Sequence, residues 1–263
     1  MARGRLYRLE AIVLRRTDLG EADRLLTVYT PYEGKLRLLA KGVRKPTSRK
    51  AGHLEPFTYS RLLVARGRSL DLITQAETIE PFLPLRGDLR RTAYAYYFAE
   101  LVDRFSEEEI ENPSLFSLLF KALRWLGESE DPAWLARYFE VHLLGCVGYR
   151  PELHRCLHCR RGIGEGALFD PAQGGIICPS CSRGQGGQPL SPEALQHLRL
   201  LQSEDYALCQ ALAPSPPVQA ELEATLGRYI SYLLERRPHS LDFIATLRRE
   251  EERSPLSFEA SSW

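Results

Sequence analysis

The first eighty residues alternate between apolar and polar positions. In Lys35–Val43, Leu36, Leu38 and Ala40 fall on one side while Lys35, Arg37, Leu39 and Lys41 fall on the other, the period of a strand with one buried face. Arg5–Leu14 is dense in Leu, Ile and Val; Arg24–Tyr29, Phe57–Val64 and Leu70–Glu77 bring the number of short strands to five. Turn chemistry separates them at Thr17-Asp18-Leu19-Gly20, at Pro31-Tyr32-Glu33-Gly34 and at Arg66-Gly67-Arg68, and a polar stretch, Arg44–His53, parts the third strand from the fourth. So many short strands in so little chain favour closure, because a closed sheet leaves no edge to pair with other chains. An OB-fold barrel is the leading expectation, with an SH3-like barrel or an open meander as the alternatives.

Beyond Phe82 the apolar period lengthens to that of a helix. Tyr94, Tyr97, Phe98, Leu101 and Phe105 form one stripe; Leu115, Leu118, Leu119 and Ala122 a second; Trp134, Leu135, Tyr138, Phe139 and His142 a third; Val218, Leu222, Leu226, Tyr229, Ile230 and Leu233 a fourth. Asn112-Pro113, Asp131-Pro132 and Ser191-Pro192 each put a capping side chain before a proline, a helix-start signal. Gly184-Gln185-Gly186-Gly187 and Pro214–Pro217 read as flexible connectors. The expected fold class is α+β: a barrel over 1–80, a helical domain over 83–153 and 188–250, a small module inserted at 154–187, and a disordered polar tail over 251–263.

Charge divides the chain at the same place. The 263 residues carry a net charge of +1, but residues 1–80 hold 16 Lys and Arg against 9 Asp and Glu, a net +7, leaving −6 for the remainder. A uniformly basic coat is excluded; a local basic face is not. An apolar fraction of 44% with 26% charged residues excludes global disorder. No apolar run is long enough for a membrane span, and the N-terminal stretch is too broken by charge for a signal peptide, so a cytoplasmic location is expected.

The sharpest chemical signal is Cys156-Leu157-His158-Cys159 followed by Cys178-Pro179-Ser180-Cys181, a C-x2-C-x18-C-x2-C spacing. Two such knuckles offer a tetrahedron of thiolates to one structural Zn²⁺, with no open position left for catalysis. Two disulfides would require an oxidising compartment, a redox pair would come alone, and a zinc deaminase would need a preceding His-x-Glu. His154 and His158 are reserve ligands; Cys146 and Cys209 lie in helical apolar patterns and read as buried small hydrophobes.

The second signal is Gly34–Gly52, which contains no acidic residue and carries Lys35, Arg37, Lys41, Arg44, Lys45, Arg49 and Lys50. These are the expected phosphate contacts, with Lys35, Arg37 and Lys41 sharing one strand face. OB barrels bind single strands by a basic groove with aromatic platforms, for which Tyr29, Tyr32, Phe57 and Tyr59 are the candidates, although core or turn packing competes for each. There is no phosphate loop for ATP, no His-Glu-x-x-His, no Gly-x-Ser-x-Gly, and no carboxylate cluster like that of a two-metal nuclease. The chain therefore reads as a non-enzymatic binding protein.

Several separated segments resemble one family in the right order. Glu10–Arg15, Gly20–Leu25, Tyr32–Lys35, Ala40–Arg44 and Leu54–Phe57 are similar to the N-terminal domain of the bacterial recombination mediator family RecO; Gly148–Leu153 before the first knuckle and Ser240–Ile244 near the end fit as well. The resemblance implies an N-terminal OB-fold, a helical domain with an inserted zinc module, and a place in RecF-pathway DNA repair. It implies binding to single- and double-stranded DNA, annealing of complementary strands, association with RecR, help in loading RecA onto DNA coated by single-strand-binding protein (SSB), and a cytoplasmic, nucleoid-associated location. A zinc-ribbon protein–protein adaptor with incidental DNA contact is the rival reading. The acidic helical half is expected to serve protein partners, with Arg90, Arg91, Arg124 and Arg137 as candidate rim cations for the acidic, apolar SSB tail.

Overall fold

The computed structural model describes residues 5–163, 166–182 and 187–253, the side chain of Glu252 excepted. Five strands, β1 (Leu6–Leu19), β2 (Asp23–Thr30), β3 (Gly34–Ala40), β4 (Tyr59–Ala65) and β5 (Asp71–Glu80), close into a barrel in the order β1-β2-β3-β5-β4. All neighbours run antiparallel except β3 and β5, whose parallel pairing joins Leu38 to Asp71 and Leu39 to Leu72. This is the OB-like architecture. The alternation in β3 holds: Leu36, Leu38 and Ala40 are buried in the barrel with Ala11, Val13, Leu26, Val28, Leu62, Val64 and Ile73, while Val43 and Leu54 belong to the same core.

One turn expectation fails. Residues 17–19 do not turn; β1 runs on through Leu19, and the turn occupies Gly20–Ala22. Residues 15–19 face solvent, yet they stay extended because they pair with β2 as Asp18↔Arg24 and Thr17↔Leu25 after a bulge between Val13 and Arg15. At the next turn Gly34 has φ +65°, and a Cβ there would overlap the carbonyl of Ile110, so the approach of that loop to the barrel requires glycine.

Seven α-helices follow among the described residues: α1 (Leu89–Phe105), α2 (Pro113–Glu128), α3 (Pro132–Cys146), α4 (Pro192–Ser203), α5 (Tyr206–Ala211), α6 (Pro216–Leu233) and α7 (Ser240–Arg253). The capping signals work as read. Asn112 accepts from the Leu115 amide, Asp131 from Ala133 and Trp134, and Ser191 from Ala194. Of the connector expected at Pro214–Pro217, Pro214 and the N-cap Ser215 lie outside any helix, while Pro216 and Pro217 form the first turn of α6, where a missing N–H costs nothing. Of the polar tail expected over 251–263, residues 251–253 belong to α7; residues 254–263, like the glycine connector at 184–186, lie outside the described residues.

Barrel and helices share a core. Ile12, Leu14, Tyr29 and Phe57 of the barrel are buried in the same cluster as α1, α2 and α3. Tyr29 stacks on Phe116 at 6.5 Å between ring centroids, Tyr59 meets Phe116 and Phe120 edge-on at 5.7 and 5.5 Å, and Phe57 meets Tyr96 at 4.8 Å. Aromatic pairs of this kind each add about 0.5–1.5 kcal/mol beyond the area they bury. Between α3 and α4 the chain forms a small sheet, order β7-β6-β8, from β6 (Ala167–Asp170), β7 (Gly175–Ile177) and β8 (Gln188–Leu190). Arg199 of α4 donates to the carbonyls of Leu153 at 2.7 Å and Ile163 at 2.8 Å, binding this insert to the helical core.

Candidate functional site

The seven basic residues of 34–52 separate into two groups once their partners are located. Lys35 is 13% exposed; its ammonium lies 3.2 Å from Asp103 Oδ1 of α1 and donates to the Asp103 carbonyl. Lys50 donates to the carbonyls of Ile73 at 2.8 Å and Lys41 at 3.4 Å, and burial lowers its pKa. Arg44 is held by the Gly20 carbonyl at 3.0 Å and Asp18 at 3.5 Å. Arg37 is exposed on β3, with Glu108 at 4.0 Å. Lys41, Lys45 and Arg49 are exposed and have no ion-pair partner among the described residues. The β3–β4 loop thus presents three unengaged cations, flanked by Arg37 and Arg44, which keep part of their charge for solvent.

The aromatic candidates are differently placed. Tyr29 and Phe57 are buried against the helices and Tyr59 is partly covered there, donating to Glu10 Oε2 at 2.6 Å. None of the three offers a ring face to a base. Tyr32, at the β2–β3 turn, is 74% exposed. The reason is architectural: the outward faces of β1 and β2 are the barrel's docking surface for α1 and α2, and the rings there exclude water from that junction.

Sequence reasoning missed an ion-pair network that carries the basic surface onward from the loop. Arg44 and Arg24 share Asp18; Arg24 also reaches Glu55 Oε1 at 3.2 Å, and Glu55 pairs with Arg16. Arg16 and Arg15 then lead to the barrel–helix junction, where Arg15 lies 3.6 Å from Asp103. Cross-strand register, not spacing along the chain, brings these residues together, so no local sequence signal points to them.

The four cysteines of the two knuckles converge. Their Sγ atoms all lie within 4.8 Å of one another, and Cys159 and Cys178 are 3.8 Å apart. A disulfide needs sulfurs at about 2.05 Å, whereas a tetrahedron with metal–sulfur bonds of about 2.3 Å sets sulfurs about 3.8 Å apart. The donor set fits a metal ion. Against the effect of burial, amides of Cys178, Cys159 and His158 point at the Cys156 sulfur and lower its pKa, whereas the neighbouring thiols push Cys181 up, because four sulfurs this close cannot all ionise without a cation among them. Arg160, with φ 60°, completes the first knuckle by donating its amide to the Cys156 carbonyl at 2.9 Å. Of the other cysteines, Cys209 is buried and Cys146 partly buried, each pushed up in pKa by that burial.

The helical domain also holds a buried charge cluster. Arg137 and Glu140, one turn apart on α3, pair at 2.8 Å, and Tyr97 donates to Glu140 Oε1 at 2.6 Å. Arg137 is therefore no rim cation. Arg91 is likewise turned inward, onto the carbonyls of Gly127 and Ser129, and Arg90 has a buried Nε; of the four rim candidates Arg124 remains exposed, over the Phe120 ring. Burial pushes the Glu140 carboxyl up to about 7 against the pull of Arg137 and Tyr97. No described helix is long and apolar enough to cross a membrane.

Comparison with known proteins agrees with this arrangement. Residues 1–82 match the family model described as Recombination protein O N terminal, and residues 86–242 the one described as Recombination protein O C terminal. A protein of Roseiflexus sp. named DNA repair protein RecO is 44% identical over 94% of this chain and 88% of its own length. Proteins of that name from Dehalococcoides mccartyi and Symbiobacterium thermophilum are 38% and 37% identical, each over 92% of this chain and over 96% and 98% of their own lengths. With the N-terminal and C-terminal models both matched and relatives aligned over more than nine-tenths of it, the chain belongs to the RecO family of DNA repair proteins.

Proposed function

We propose that this protein is a non-enzymatic recombination mediator that binds DNA through the barrel, anneals complementary strands and helps load RecA onto SSB-coated single strands together with RecR. The observation that carries the reading is the unengaged cation set Lys41, Lys45 and Arg49 on the barrel rim, within a segment, residues 1–80, of net charge +7. Complementary strands repel through their phosphates. A basic rim neutralises them and releases their counterions, so annealing needs positioning and no chemical step. Phosphate contacts carry no base information, which suits a protein that must act on any sequence. Arg37 and Arg44 complete the phosphate-binding set; Lys35 and Lys50 belong to it as supports of the strand and loop that present the others.

The Cys156, Cys159, Cys178 and Cys181 site is proposed to hold one Zn²⁺. Four thiolates close its coordination, so its contribution is folding energy for the insert between α3 and α4. Association with RecR and with the SSB tail is proposed from family membership, as is a cytoplasmic, nucleoid-associated location. The test is a strand-annealing assay with and without SSB, paired with a salt titration of single-strand binding. A mediator shows annealing and a steep slope; a shallow slope without annealing favours the protein–protein adaptor.

A further inference from the structure

Between the barrel and the helices lies an open groove of about 640 Å³ that the proposed phosphate rim does not include. Its floor is apolar, with Leu14 of β1 and Ala99 of α1, and two aromatic rings line it, Tyr96 from α1 and Phe243 from α7. These rings are 44% and 40% exposed, although Tyr96 also packs edge-on against Phe57. Arg15, Arg16, Arg104 and Arg236 line the same groove.

Its two carboxylates are already engaged. Glu100 accepts from the amides of His239 at 2.9 Å and Ser240 at 2.8 Å and from the Ser240 hydroxyl, while Asp103 is shared by Lys35 and Arg15. Arginine charge is therefore in excess, and Arg236 has no ion-pair partner among the described residues. The groove is also not isolated. The network Arg16–Glu55–Arg24–Asp18–Arg44 runs from its edge to the start of the loop that carries Lys45 and Arg49.

We infer that this groove is a second contact area for single-stranded nucleic acid, taking a base against Tyr96 and Phe243 and the neighbouring phosphates on Arg15 and Arg236. The inference rests on the proposed DNA binding and extends it from the barrel rim to the barrel–helix junction. Exposed rings beside excess guanidinium groups match a polyanion whose repeating units each carry a flat π-face. A short acidic peptide would also find charge and apolar ring surface here; the arginines that continue from Arg16 through Arg24 to Arg44 favour a long polyanion over it. Stacking is tolerant of sequence, because every base has such a face, so the contact adds grip without adding selectivity.

The experiment uses the full chain and an oligothymidylate carrying iodouracil. Photo-crosslinking followed by peptide mass spectrometry is expected to place adducts on Tyr96 or Phe243. Tyr96→Leu with Phe243→Leu, which keeps apolar bulk but removes the rings, is expected to weaken binding about tenfold with the salt slope unchanged. Arg236→Glu is expected to reduce that slope by about 0.7. Adducts confined to the barrel, with the Leu variant binding like wild type, overturn the groove and leave rim binding standing. Absence of oligonucleotide binding by the wild-type chain overturns both. Loss of a fluorescent acidic peptide from the Leu variant, with oligonucleotide binding intact, assigns the groove to a peptide and overturns the inference. If the Leu variant does not fold, the crosslink on the wild-type chain decides alone.

Discussion

The ammonium of Lys35 on β3 lies 3.2 Å from the carboxylate of Asp103 near the end of α1, and this pair, largely shielded from water, clamps the barrel to the helices. Beside it, the Glu109 amide donates to the Lys35 carbonyl at 3.0 Å, so backbone and side chain hold the same junction. Lys35→Ala is expected to lower the unfolding free energy by about 1–3 kcal/mol, the usual cost of stranding a partly buried charged partner. Asp103→Asn should cost a similar amount, and the double variant less than the sum. Urea unfolding checks the energies. The salt slope of DNA binding should stay at the wild-type value for both single variants.

The opposite behaviour is expected of the loop. Lys45→Glu with Arg49→Glu should leave the urea midpoint unchanged, because neither side chain has an ion-pair partner among the described residues. Single-strand binding should weaken alike on all sequences, with the salt slope falling by about 0.7 for each lost phosphate contact. Fluorescence titration between about 50 and 200 mM salt, the range over which such contacts are most telling, supplies the measurement.

For the cysteine cluster, elemental analysis of the purified chain is expected to return one zinc per molecule. Cys159→Ser should abolish it, expose the segment 160–177 to proteolysis and lower stability. Residues of the barrel interior should keep their amide-exchange protection, since that interior forms a cluster separate from the one that contains the insert.

Glu140 makes stability depend on pH in an unusual direction. Its carboxyl is held at about 7 in the folded chain, above the ordinary 4.5 of a glutamate, chiefly by burial. The native state therefore binds the proton more tightly than the unfolded one. Its contribution is complete below about pH 4.5 and is lost as pH rises through 7, by on the order of 3 kcal/mol. Urea midpoints of wild type and Glu140→Gln at pH 5 and pH 8 should differ in slope, the Gln variant lacking this loss. Because Arg137 then keeps a neutral partner, the variant is expected to fold, less stably at low pH.

Much of this was legible in the chain. The alternation at Leu36, Leu38 and Ala40 identified the buried face of β3, the capping residues Asn112, Asp131 and Ser191 placed three helix starts, and the paired knuckles located the cysteine cluster. What sequence could not show depends on which elements meet. Lys35 and Arg37 share a strand face, yet one is taken up by α1 and the other remains exposed, because α1 and the loop after it cover one end of β3 only. Tyr29 and Tyr59 look like stacking platforms until α2 brings Phe116 and Phe120 onto them. A signal for the buried pair did exist: Arg137 and Glu140 stand one turn apart on a helix that is otherwise apolar around most of its circumference.

The ring of five strands is not equally strong all the way round. Between β3 and β5 it is closed by only Leu38↔Asp71 and Leu39↔Leu72, while each antiparallel neighbour is laced along most of its length. Lys50 reaches across this short arc, holding the Ile73 carbonyl of β5 and the Lys41 carbonyl just past β3. A ring opens where it is least laced, so brief parting of β3 from β5 is the lowest-cost excursion of the barrel, well short of unfolding. Amide exchange along that arc would be the fastest within the sheet. A polyanion that drew on the loop containing Lys50 would change that rate, so the clasp reports on what the neighbouring cations hold.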